Sequence, residues 1–164
     1  MSQSFRRVVT GHDSTGRAVV ISDDSLTPER IPSGDAAFAL IWTSDVLPAD
    51  NNDDIDGRTR PAGLTLHGGS VLRIVDMLPG GVSPMHRSNS LDYGLVLSGE
   101  VELELDNGLV TRLGPGDIIV QRGTIHAWRN PSADRTTRLL FVLTEALPRL
   151  VDGQPLPEVH AGRE

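Results

Sequence analysis

The sequence predicts an all-β protein organised around one barrel. Three observations carry that expectation. Seventeen glycines and eleven prolines cut the 164 residues into short pieces. The apolar runs between them are short and rich in Val, Ile and Leu, as strands joined by turns are. Only residues 145–151 read as helical, and Pro148 interrupts them.

In chain order, strands are expected at 7–10, 17–22 and 37–43, then at 70–77, 93–97, 101–105, 109–113, 117–121, 126–129 and 138–144. The first three lie in the N-terminal third, which carries more strand than a central barrel needs. Unpaired strands invite edge addition. That third is therefore expected to pack on a second subunit, with an intrachain extension of the sheet as the alternative. Residues 45–61 are polar and hold Asp45, Asp50, Asp53, Asp54 and Asp56, as a solvated loop does. Asn52-x-Asp54-x-Asp56-Gly57 superficially matches a calcium loop, but Gly63 stands where the closing glutamate belongs.

The clearest hairpin runs from Val101 to Leu113. Val101, Leu103 and Leu105 share one face, Glu100, Glu102 and Glu104 the other. Asn107-Gly108 suits the positive φ angles of a tight turn. The glutamate stripe reads as a solvated sheet face, because alternation alone explains it. Residues 153–164 are polar and expected to fray. The chain thus divides into 1–60, N-terminal strands and a polar loop, 61–147, the barrel, and 148–164, a tail, all in one domain.

Composition excludes several classes of function. The formal net charge of −7 repels phosphate backbones, so no nucleic acid partner is expected. The absence of cysteine excludes disulfides, thiolate nucleophiles and zinc–thiolate sites. No apolar run approaches the ~20 residues of a membrane span, and residues 1–7 lack the apolar core of a signal peptide. A cytoplasmic protein with no membrane partner is the expectation.

The chemistry concentrates between Gly80 and Asn130. His86 follows the turn Pro79-Gly80-Gly81, Asp92 follows His86, and His126 sits in Gln121-Arg122-Gly123-Thr124-Ile125-His126-Ala127-Trp128-Arg129-Asn130. Here the chain resembles the cupin superfamily of small β-barrels, over roughly residues 63–147. His86 matches the first histidine of that family's first motif and Gly99 its closing glycine. Ser88 stands where the second histidine belongs, and Asp92 where the glutamate belongs. In the second motif Gly116-Asp117, His126 and Asn130 match, and Gln121 replaces a proline. The resemblance implies a double-stranded β-helix, a jelly-roll barrel, here with an N-terminal strand extension.

It also implies a metal. Strand residues alternate faces, so His86, Ser88 and Asp92 all point inward if their strand stays regular, with His126 and Trp128 facing them. Two histidines and one carboxylate then form a facial set that suits iron, manganese, zinc, nickel or cobalt. Ser88 leaves a position for water or substrate, or itself binds weakly. Asp92 is the hardest to dismiss, because a buried carboxylate needs a cation, a donor network or a proton. Arg73 or Arg87 can supply that partner without a metal, and His126 can be a hydrogen-bonded core histidine.

Four further residues have two readings each. Trp128 is a pocket wall or ordinary core. Tyr93 is a proton donor or lies on the outer face. His67 is an acid or base at the barrel mouth or a loop histidine. Arg73 holds a substrate carboxylate or pairs with Asp76 or Asp92. Two functions remain open. One is a metal-dependent enzyme acting on a small organic acid, enol or diketone, as a decarboxylase, dehydratase, isomerase, lyase or dioxygenase. The other is a metal-free small-ligand-binding module. A homodimer is expected for either.

Overall fold

Strand alternation builds two facing sheets in the computed structural model, which describes residues 2–160. The chain runs through β1 (Phe5–His12), β2 (Ala18–Leu26), β3 (Glu29–Arg30), β4 (Ala36–Ser44), a 3-10 turn (Gly57–Thr59) and β5 (Ser70–Met77). It continues through β6 (Ser90–Ser98), β7 (Val101–Leu105), β8 (Val110–Leu113), β9 (Ile118–Arg122), β10 (His126–Arg129) and β11 (Thr137–Glu145). Two short strands, β12 (Leu150–Val151) and β13 (Gln154–Pro155), close it.

The larger sheet has the order β3-β4-β5-β11-β6-β9, and the smaller has β10-β7-β8. All pairs are antiparallel. Every second residue of each strand faces the other sheet. Val75, Met77, Val96, Leu139 and Phe141 from the larger sheet meet Val101, Leu103, Leu113 and Trp128 from the smaller in one core. The outward glutamates are paired across strands: Glu102 with Arg112 and Arg129, Glu104 with Arg129. These pairs fix register on a face that alternation leaves to solvent.

A segment outside the regular strands completes the barrel. Isolated bridges pair Val82 with Arg129 and His86 with His126, so residues 82–86 run beside β10 in the smaller sheet. The chain then crosses over and enters the larger sheet as β6. It crosses back between β9 and β10, at Gly123, whose φ of 63° suits a residue without Cβ. The expectation of one regular strand from His86 to Asp92 is therefore corrected.

The N-terminal residues attach within the chain. β4 pairs with β5 along its length. The buried Arg7 of β1 bonds Asp24, Asp56 and the Ile41 carbonyl. Asp53 and Asp45 pair with Arg60, so the loop's carboxylates are largely committed to arginines. The β1–β2 hairpin still exposes Val8, Val19, Val20 and Ile21.

Two further expectations are corrected. Residues 145–151 form no helix: β11 runs to Glu145, and irregular chain containing Pro148 leads into β12. Residues 153–160 do not fray. Val159 bridges Arg87, and Glu158 accepts the backbone N–H of Asn89 at 2.8 Å. The rest of the expected tail, 161–164, lies outside the described residues.

Candidate functional site

His86 and His126 are neighbours in one sheet. Their backbones exchange both hydrogen bonds, at 2.9 and 3.0 Å, and their ring centroids lie 4.3 Å apart with planes tilted by 54°. Each Nδ1 lies 2.9 Å from the carbonyl two residues earlier, Pro84 for His86 and Thr124 for His126. A carbonyl only accepts, so each Nδ1 carries the proton and donates. In a neutral ring Nε2 then keeps its lone pair. Backbone carbonyls set the tautomer of metal-binding histidines in this way.

Asp92 approaches from the facing sheet. It lies on β6 directly opposite Gln121 of β9. The Gln121 amide nitrogen is 3.5 Å from Asp92 Oδ2, and 3.0 and 3.4 Å from the two ring nitrogens of His126. Gln121 thus stands between the carboxylate and His126. Among the described residues no three histidine, aspartate or glutamate side chains converge as a metal-holding group.

Electrostatics follow from burial. Asp92 is 7% exposed and His126 5% exposed. Burial raises the Asp92 carboxyl above its usual range, with Ser90 and His86 pulling the other way. The Ser90 hydroxyl, though close enough to favour the carboxylate, makes no well-aligned hydrogen bond. Burial, then the neighbouring His86, pushes His126 down to about 4, so the ring is neutral at pH 7. Arg73 is 8% exposed and lowered by burial to about 10, so it remains a cation there. It bonds the Gly63 carbonyl and lies over the Phe38 ring, with no carboxylate partner among the described residues. Asp76, a partner considered for Arg73, pairs instead with Arg138.

Four buried polar atoms of this inner face have no hydrogen-bond partner among the described residues: Arg73 Nε, Ser90 Oγ, Asp92 Oδ1 and Gln121 Oε1. Such atoms are uncommon in folded proteins, and an ordered water, an ion or a ligand can satisfy them. The acceptors among them, with the two imidazole Nε2 atoms, are nitrogen and oxygen donors of the kind that suit a borderline divalent cation, although the Gln121 amide nitrogen lies 3.0 Å from His126 Nε2.

The structure brings only some of the candidates to this face. Trp128 is buried and meets His126 edge-on at 6.0 Å and Phe141 at 5.7 Å. Ser88 is half-buried in the crossover between His86 and β6. Tyr93 lies on the outer face of β6, 47% exposed, opposite Val120 and Val142. The His67 side chain is 97% exposed and pairs with Glu145 outside the barrel. Sequence reasoning missed Ser90 and Gln121. Both are polar residues at positions whose alternation points inward, and that was the available signal.

The comparisons with known proteins agree with this architecture. Residues 73–143 match the model of the cupin domain family. The chain is 44% identical over 157 residues to phomopsin biosynthesis cluster protein C' of Diaporthe leptostromiformis, covering 92% of this chain and 83% of that one. It is 39% identical over 156 residues to the cupin-domain-containing oxidoreductase fogC of Aspergillus ruber, covering 92% and 77%. The cupin domain of Cnp3 from Schizosaccharomyces pombe has a similar fold, with a TM-score of 0.54 at 13% identity, covering 85% of this chain and 87% of that one. With strand order, motif residues and relatives in agreement, the chain belongs to the cupin superfamily.

Proposed function

We propose that this cupin is a metal-dependent enzyme acting on a small organic acid, enol or diketone. The observation that carries this reading is the neighbouring pair His86 and His126, each with Nδ1 tied to a carbonyl, beside buried acceptors that have no partner among the described residues. His86 and His126 would hold the cation, with Asp92 contributing directly or through Gln121. Iron, manganese, zinc, nickel and cobalt suit such donors. The bound metal would supply charge stabilisation at substrate oxygens or, as iron, dioxygen chemistry.

The chain's own residues supply the rest. Arg73 offers a buried cation to a carboxylate, and Trp128 and Phe141 present apolar ring surface that excludes water. Names of relatives lend support: one is an oxidoreductase, which favours the dioxygenase branch, and one belongs to a biosynthesis cluster. The same reading includes a cytoplasmic homodimer. Tyr93, Leu97, Ile118 and Val120 leave apolar surface at the β6–β9 edge that a second copy would cover.

Elemental analysis of purified protein tests the proposal. One transition metal per chain is expected, lost in His86→Ala and in His126→Ala. The alternative is a metal-free binder of the same acid. The contacts that already link Asp92, Gln121 and His126 favour it. Absence of metal after reconstitution with iron, manganese, zinc and nickel salts would establish that alternative.

A further inference from the structure

Gln121 occupies the centre of the polar cluster, and its amide is only half used. On one side the amide nitrogen faces Asp92 Oδ2 at 3.5 Å. On the other it lies 3.0 Å from His126 Nε2 and 3.4 Å from Nδ1. An in-plane hydrogen bond to the lone pair of one ring nitrogen places the donor much farther from the other. Similar distances to both therefore put the amide against the side of the ring, off either lone-pair axis. His126 Nε2 is not consumed by Gln121.

The amide oxygen shares a carbon with that nitrogen, is buried, and has no partner among the described residues. Gln121 is only 4% exposed. A buried acceptor left without a donor is costly to the fold. A cation removes that cost as well as a donor does. Asp92 also keeps one oxygen free while the other faces the amide N–H.

Building on the metal-dependent reading, we infer that Gln121 is a donor of the cation site, giving its amide oxygen to a divalent metal held by His86 and His126, while Asp92 accepts from the amide N–H and fixes the donor's orientation. This accounts for two departures of the chain from its family pattern together. Ser88 removes one imidazole from the site, and Gln121, in place of a proline, adds an oxygen on the facing strand. It also explains why no three histidine or carboxylate groups converge: the third donor is an amide.

The test uses Co(II) as the probe, added to full-length protein stripped with chelator. Calorimetry reads affinity and stoichiometry, and visible absorption reads the donor set. Wild type is expected to bind one Co(II) per chain. Gln121→Leu should weaken binding about 10- to 100-fold and alter the d–d bands. Gln121→Glu, which keeps an oxygen and adds charge, should bind at least as tightly as wild type. Unchanged affinity and spectrum in Gln121→Leu, with binding lost in His126→Ala, would overturn the inference and leave the metal reading standing. No binding by wild type would remove both. Should Gln121→Leu fail to fold, Gln121→Glu decides, because weaker Co(II) binding there contradicts an oxygen donor at this position.

Discussion

The Arg7 guanidinium grips both carboxylate oxygens of Asp56 through paired hydrogen bonds of 2.8 Å, joining β1 to a loop 49 residues later. Asp24 completes the clasp from β2. Charge-assisted hydrogen bonds to the buried guanidinium fasten the hairpin to this loop, although solvent screens the exposed carboxylates. Arg7→Met should therefore free the β1–β2 hairpin while the barrel stays folded. Hydrogen exchange should show amides of residues 5–26 exchanging about tenfold to a hundredfold faster. Unchanged protection would mean that other contacts hold the hairpin.

The same clasp should be sensitive to acid. Arg7 holds the carboxyl groups of both Asp24 and Asp56 below their ordinary value of 3.8. The unfolded chain then takes up protons first as pH falls. Stability from the clasp is present above the ordinary value and lost as pH falls through the depressed values. Protection of the hairpin amides, measured against the intrinsic exchange rate at each pH, should fall below about pH 4 in wild type. Arg7→Met should already be weakly protected at neutral pH and change less on acidification.

Asp76 is a different case, because its side chain is almost wholly buried against Arg138. Removing the arginine leaves a carboxylate without a counter-charge. Arg138→Leu should cost about 3–5 kcal/mol in urea denaturation, and adding Asp76→Leu should restore much of it. Equal stability of the single and double variants would show that Arg138 acts through packing on Phe5 instead.

Arg73 should show opposite effects on stability and on binding. Its charge is buried without a carboxylate, so Arg73→Met should unfold at an equal or higher urea midpoint than wild type. Millimolar benzoate and pyruvate should raise the melting temperature of wild type and not of the variant. A large loss of stability in Arg73→Met would assign the residue to structure and not to ligand capture.

Gly94 keeps the inner face open. A Cβ there would meet Ile119 Cγ2 at 2.6 Å and Phe141 Cε1 at 2.8 Å. Gly94→Ala should destabilise the barrel by about 1–3 kcal/mol through overpacking. A double-mutant cycle with Ile119→Ala should show coupling, and strict additivity would deny the clash.

Much of this protein was readable in its sequence, and the parts that were not share a cause. β5, β7 and β10 have the bounds that alternation predicts, because period-two patterning is local. His86 and His126 were found because their spacing survives within matched motifs. The crossover at 87–89 was not legible, since nothing local marks a strand that leaves one sheet for another. Gln121 was hidden by the same limit. Its significance lies in facing Asp92 across a strand pair 29 residues apart in sequence. The tail was misjudged because polar composition does not disclose backbone pairing.

The bridge between Arg87 and Val159 bears on how this barrel can be cut and grafted. The family match stops at residue 143 and begins at residue 73. Excision at those limits would strip β4 from the edge of β5 and strip the return strand from the crossover next to His86. The minimal transplantable module therefore runs from about the start of β3 through Val159, and shorter chimeras would carry the motifs without the frame that aims them.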